Sequence, residues 1–156
     1  MIKLLRIDDR LVHGQVAFTW VSALGIDCLM VANDKVAQDD FLKMTMGLAK
    51  PPSVKLVILT MLNAINWLND PRSKNLKVLV LVNSIYDAFN LSNDVNEVKS
   101  INFGGIRTKE GAKLISKAIA ITEEDIAIIE QMAEKGLELE IRQVPTDKKQ
   151  LVQNLI

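Results

Sequence analysis

Histidine and cysteine are nearly absent from the chain, which has one of each in 156 residues. His13 and Cys28 cannot supply the ligand set of a structural zinc or an iron–sulfur site. No metal and no other cofactor is expected. Cys28 lies in the apolar run Cys28-Leu-Met-Val-Ala32 and reads as a small core residue. Net charge is missing too, with 19 Lys and Arg against 19 Asp and Glu. A neutral chain with no basic cluster offers little to nucleic acid or to an anionic membrane surface. Aromatic residues make up only 4% of the chain, few for stacking on bases. No apolar run exceeds five residues, as in Val78–Val82, whereas a spanning helix needs about 20. The N-terminus lacks the apolar core and cleavage site of a signal peptide. These absences fit a cytoplasmic protein. The apolar fraction of 49% can fill the core of one ordinary domain, taken as residues 1–156.

What is present concentrates near the start. Arg6-Ile-Asp-Asp-Arg-Leu-Val-His13-Gly-Gln15 holds the lone histidine, two arginines and two carboxylates. It follows a short apolar strand, Ile2 to Leu5, and precedes helical spacing of Val16, Ala17, Trp20, Val21 and Leu24. In an open parallel α/β sheet, ligands sit outside the carboxyl ends of strands. A helix N-terminus beside the loop adds free N–H groups suited to an anion such as phosphate. A neutral imidazole is a nucleophile. Arg10 carries a planar fork that fits phosphate oxygens. Asp8 or Asp9 would take the hydrogen bond of the second ring nitrogen and fix the tautomer. Residue types alone leave a plainer reading open, a solvated turn with a local ion pair of little energetic weight.

The same string resembles the signature loop of the enzyme IIB components of the mannose/fructose/sorbose class of the bacterial sugar phosphotransferase system. The likeness continues through Val31-Ala-Asn-Asp-Lys-Val-Ala37, Lys50-Pro-Pro-Ser-Val-Lys55, Asn102-Phe-Gly-Gly-Ile-Arg107 and Arg142-Gln-Val-Pro145. It implies a phosphocarrier domain in which His13 accepts a phosphoryl group from a IIA protein. The group then passes to a sugar held by the membrane components IIC and IID, at the inner face of the membrane. It further implies a phosphate-side role for Arg6 beside Arg10, with N–H groups around Val12 to Gln15, Gly14 and Gln15 among them, around the phosphoryl oxygens. Such transfer demands positioning and charge neutralisation above all. Asp9 in the first place, and Asp8 in the second, would orient the ring. Leu11 and Val12 are expected as exposed contacts for IIA.

Strands alternating with helices point to a three-layer α/β/α architecture with a mostly parallel sheet of six or seven strands. Strands are expected at Cys28–Ala32, Val54–Leu59, Leu76–Val82, Val98–Phe103 and Leu137–Val144, with a strand-like reading for Ala112–Ile121. One helix is expected over Val36–Ala49, with Ala37, Phe41, Met44 and Leu48 at helical spacing. Thr60, Asn83 or Ser84, and Thr122 stand at helix starts, Gly25 and Gly136 at helix ends, and a short helix follows Pro145-Thr146-Asp147. Asp34 should share the sheet edge of His13, as a helix cap, an orienter of Arg10 or a partner contact. Gly104-Gly105 carries no nucleotide fingerprint and permits an unusual turn, with a minor role beside the loop. Trp20 and Trp67 read as core.

Other functions fit less well. A receiver-like domain needs an acceptor Asp after a central strand, but Thr60 and Asn83 stand at those places. A phosphohistidine phosphatase or mutase usually needs a second histidine. A non-enzymatic small-molecule-binding module remains as the alternative in which His13 only hydrogen-bonds a ligand.

Overall fold

The β-branched and leucine-rich runs become the sheet, and the segments between them become helices. The computed structural model describes residues 1–156. In chain order the elements are β1 (Ile2–Asp8), α1 (Gly14–Leu24), β2 (Cys28–Ala32), α2 (Asp34–Ala37), α3 (Asp40–Ala49), β3 (Lys55–Leu59) and α4 (Met61–Asn69). There follow β4 (Val78–Val82), α5 (Ile85–Asp94), β5 (Ser100–Gly105), β6 (Lys113–Leu114), β7 (Ala120–Ile121), α6 (Glu123–Glu134), β8 (Glu138–Ile141) and β9 (Gln150–Leu151). Short 3-10 turns span Pro71–Asn75 and Val152–Asn154.

The main sheet has seven strands in the order β3-β2-β4-β1-β5-β8-β9. All neighbours run parallel except β8 and β9. β2 and β4, between parallel neighbours, are buried along their whole length, as strands covered on both faces must be. Two apolar clusters lie on the two sides of the sheet. One joins Trp20 and Ala17 of α1 and Met46 of α3 to Leu29, Val31, Leu79 and Leu81. The other joins α4, α5 and α6 to Leu5, Ile7, Met30, Val80, Ile101 and Leu139. The result is the expected three-layer α/β/α arrangement.

The caps follow the chemistry of their residues. Thr60, Ser84 and Thr122 each accept a backbone N–H of the following first turn, and Thr122 forms a full capping box with Asp125. Gly25 ends α1 in the left-handed conformation, φ 63°. Elsewhere the structure corrects the expectation. The helix expected over Val36–Ala49 is two helices, because Asp39 accepts the Leu42 N–H and starts a new one. The restart turns Phe41, Met44 and Leu48 outward, and Met46 packs inward instead. The region from Ala112 to Ile121 is a small hairpin, β6 against β7, outside the main sheet. After Pro145 the chain forms edge strand β9 before its last 3-10 turn.

The helix after β1 packs on one side of the sheet, while those after the flanking strands β4 and β5 pack on the other. The carboxyl end of β1 therefore lies at a topological switch point, where open α/β sheets part their loops and leave a crevice. No helix is long and apolar enough to cross a membrane.

Candidate functional site

The strand β1 ends on Asp8, and five residues later His13 stands at the N-cap of α1 with extended backbone, φ −151°. Between them the chain folds back sharply. Leu11 N–H donates to Asp8 O at 2.9 Å, and Leu11 itself takes a left-handed φ of 57°. A leucine there is strained by about 1–2 kcal/mol. The strain coincides with burial of Leu11 and Val12, which pack in the cluster beneath α1. They are core residues, contrary to the expectation of exposed contacts. Their burial turns the polar residues of the loop outward. Gly14 follows with φ 38°, and no side chain caps α1. The first-turn N–H groups at Gly14, Gln15 and Val16 thus face the loop mouth without a capping partner. Gly14 and Gln15 are exposed.

Asp8 is the hub. Its Oδ2 accepts from His13 Nε2 at 2.9 Å and from Arg6 Nη2 at 3.2 Å, and its Oδ1 accepts the Arg10 backbone N–H at 3.1 Å. The Arg10 Nε lies 3.7 Å from Oδ1. The ring partner is therefore Asp8 and not Asp9. Asp9 turns aside: its Oδ2 accepts the N–H and Nε of Arg107, at 2.9 and 3.0 Å. The reason is the strand alternation that puts Arg6 and Asp8 on one face of the sheet, the α1 side, with Asp9 beyond its end.

The two loop arginines separate. Arg10 keeps 49% of its side chain exposed, and no hydrogen bond engages its terminal nitrogens. Arg6 is 2% exposed, and both of its terminal nitrogens are engaged below the loop, while its buried Nε has no partner. Its Nη1 donates to Asn102 Oδ1 at 2.7 Å and to Arg142 O at 3.0 Å. Its guanidinium lies 5.5 Å from the Trp20 ring centroid, and that of Arg142 lies 5.1 Å from it. Burial pushes the Arg6 pKa down, while Asp8 and Glu140 pull it back up. Arg142 pairs with buried Glu140, which raises the Arg142 pKa. Arg6 thus lies below the loop, bonded to Asp8, Asn102 and Arg142, where the expectation set it on the phosphate side beside Arg10.

Gly104 belongs to this floor. The β1–β5 register skips it, pairing Ile7 with Phe103 and Asp8 with Gly105. A Cβ on Gly104 would lie 2.0 Å from the Arg6 Cζ. Asp34 sits at the end of β2, where Asn33 is the helix cap and Asp34 Oδ1 accepts the Met61 N–H at 2.8 Å. It does not orient Arg10. Cys28 is buried, and burial raises its thiol pKa. Beside the loop runs an open cleft of about 500 Å³, lined among others by Asp9, Arg10, Arg107, Thr108, Leu114 and Lys117. No group of three or more His, Cys, Asp and Glu residues is placed to hold a metal.

Sequence reasoning brought His13, Asp8 and Arg10 to one place but missed Asn102, Arg107, Glu140, Arg142 and the second role of Trp20. Two polar residues flanked by apolar neighbours, Asn102 between Ile101 and Phe103 in β5 and Glu140 between Leu139 and Ile141 in β8, were the available signal.

The chain is similar to known proteins along nearly its whole length. The family model described as the sorbose-subfamily IIB component of the PTS matches residues 2–156. A sorbose-specific EIIB component of Lacticaseibacillus casei is 33% identical over 94% of this chain and 90% of its own length. A fructose-specific EIIB component of Bacillus subtilis is 32% identical with the same coverage. A mannose-specific EIIAB component of Escherichia coli is 32% identical across the whole chain, but the chain spans only 48% of that longer protein. Among solved structures, the IIB domain of the sorbose permease of Klebsiella pneumoniae superposes with a TM-score of 0.93 at 26% identity, over 99% of this chain and 94% of that one. The N-acetylgalactosamine-specific IIB component 1 of Escherichia coli gives 0.89 at 30% identity, over 97% and 99%. The chain belongs to the sorbose-subfamily IIB components of the phosphotransferase system.

Proposed function

We propose that His13 is the phosphoryl carrier, accepting the group on Nδ1 from a phosphorylated IIA protein and passing it to a sugar. The observation that carries this reading is the Asp8–His13 pair at 2.9 Å on an open loop beside an Arg10 guanidinium whose terminal nitrogens are free. Because Asp8 holds the Nε2 proton, the lone pair of the neutral ring lies on Nδ1. As the Nδ1–P bond forms, the bond from phosphorus to the donor atom breaks and its electron pair stays with the donor. Arg10 and the N–H groups at the start of α1 neutralise the phosphoryl oxygens. In the second step a sugar hydroxyl attacks phosphorus and releases its proton to solvent, and the N–P electron pair returns to Nδ1.

The membrane components IIC and IID would hold the sugar, of the mannose, fructose or sorbose type. The protein would work in the cytoplasm against the inner membrane face. Family membership supports this assignment, as does the sharing of one chain by A and B components in the Escherichia coli relative's name. The test is phosphoryl transfer from phosphoenolpyruvate through the general transferases and a IIA protein, comparing wild type with His13→Gln. Acid-labile, base-stable label should appear on the wild type and vanish in the variant. Label that persists in His13→Gln sinks the reading.

A further inference from the structure

We propose that Arg6 is a positioning residue for His13, seated by Gly104 and Trp20, which fixes Asp8 so that Nδ1 alone takes the phosphoryl group. The inference rests on the carrier reading above.

Arg6 and His13 share one oxygen, Oδ2 of Asp8, at 3.2 and 2.9 Å. The place of that oxygen therefore determines where the ring stands and which nitrogen is masked. Arg6 itself has little freedom. Asn102 Oδ1 and Arg142 O hold Nη1 on the side away from the loop. The Trp20 ring covers the guanidinium, and the Trp20 Nε1–H is tied to Gln143 O at 3.0 Å. The backbone of Gly104 lies so close that any side chain there would overlap the guanidinium. A buried arginine needs compensating partners. Asp8 and Glu140 supply opposite charge, and Arg142 engages Glu140 in turn. The floor is thus a four-charge cluster that balances to zero, and only one of its members, Asp8, touches His13. A residue that holds the group orienting a reactive ring acts as the outer partners of metal ligands do, and its removal typically costs about 10- to 100-fold in activity.

The experiment labels wild type, Arg6→Met, Arg6→Lys and Gly104→Ala with phosphoramidate, and in parallel through a IIA protein. It assigns the phosphohistidine isomer by 31P and 15N NMR. Wild type should carry label on Nδ1 only. Arg6→Met should transfer about 10- to 100-fold more slowly and show part of its label on Nε2, because the mask has loosened. Gly104→Ala should do the same with the charge intact, by displacing the guanidinium. Arg6→Lys, which cannot bond Asp8 and Asn102 together, should fall between. An isomer shift is not expected from general destabilisation, which lowers the folded fraction without exchanging one nitrogen for the other.

Wild-type label on Nε2 overturns the inference outright. So do folded Arg6→Lys and Gly104→Ala proteins that transfer at the wild-type rate with label only on Nδ1, and these two decide if Arg6→Met does not fold. Absence of any label on wild-type His13 would instead be the failure of the carrier reading.

Discussion

The loop has a floor and a rim, built from the same residue types to opposite ends. Below it, Arg6, Asp8 and Glu140 are at most 2% exposed in their side chains, and Arg142 is 19% exposed. Above it, Arg10 and Arg107 are 49% and 73% exposed, hung on Asp8 and Asp9 by Nε with their terminal nitrogens unengaged. The floor pairs every charge with geometry that leaves little freedom. The rim leaves cations half-committed. Buried pairs are unforgiving of the loss of one partner, whereas exposed pairs contribute about 0–1 kcal/mol and are screened by salt. The same arginine–carboxylate chemistry thus acts as scaffold in one place and leaves the terminal nitrogens of its cations free in the other.

Asp8 belongs to both regions, so its removal should have the largest effect. Asp8→Ala leaves Arg6 buried without its nearest carboxylate and frees the His13 ring. A stability loss of about 3 kcal/mol or more is expected on denaturant unfolding, together with loss of phosphoryl transfer. A variant that unfolds at the wild-type midpoint would mean that Arg6 finds other compensation, and that the floor is less rigid than its hydrogen bonds imply.

Arg10→Ala should separate the two regions. Its side chain leaves the core untouched, so stability should stay within about 1 kcal/mol of wild type. Transfer to His13 should fall about 10²- to 10³-fold, the usual consequence of removing one preorganised partner of a developing anion. A large stability loss with unchanged transfer would place Arg10 in the floor and remove the distinction.

How much of this division was legible beforehand depended on period. The alternation of β1 places Leu5 and Ile7 toward one cluster and Arg6 and Asp8 toward α1. That pattern was available in the sequence and favoured Asp8 over Asp9 as the ring's partner. The burial of Arg6 was harder to see. It depends on β5 skipping a residue at Gly104 and on β8 delivering the Arg142 carbonyl, two long-range events with no local signature. The burial of Leu11 depends on a left-handed backbone that leucine rarely adopts. The order of layers, by contrast, was legible because apolar runs, caps and glycine stops all agreed. It failed locally over Val36–Ala49, where Asp39 as a cap outweighed continuous helical spacing.

Arg107→Ala is the smallest perturbation and the finest probe of the rim. Arg107 fastens Asp9 to the end of β5 through one carboxylate oxygen, yet the Arg107 backbone N–H bonds that same oxygen and survives the substitution. The loop should therefore keep its shape, with stability changed by about 0–1 kcal/mol. What is lost is a cation on the wall of the cleft that also holds Arg10 and Lys117. If the rim gathers an anionic partner through its summed field, the apparent KM for phosphorylated IIA should rise at low ionic strength. The difference should fade as added salt shortens the screening length to below about 10 Å. Labelling by phosphoramidate, which needs no protein partner, should proceed as in wild type. A defect in the small-donor reaction, or one that persists undiminished in high salt, would move Arg107 from the rim into the machinery that positions the ring.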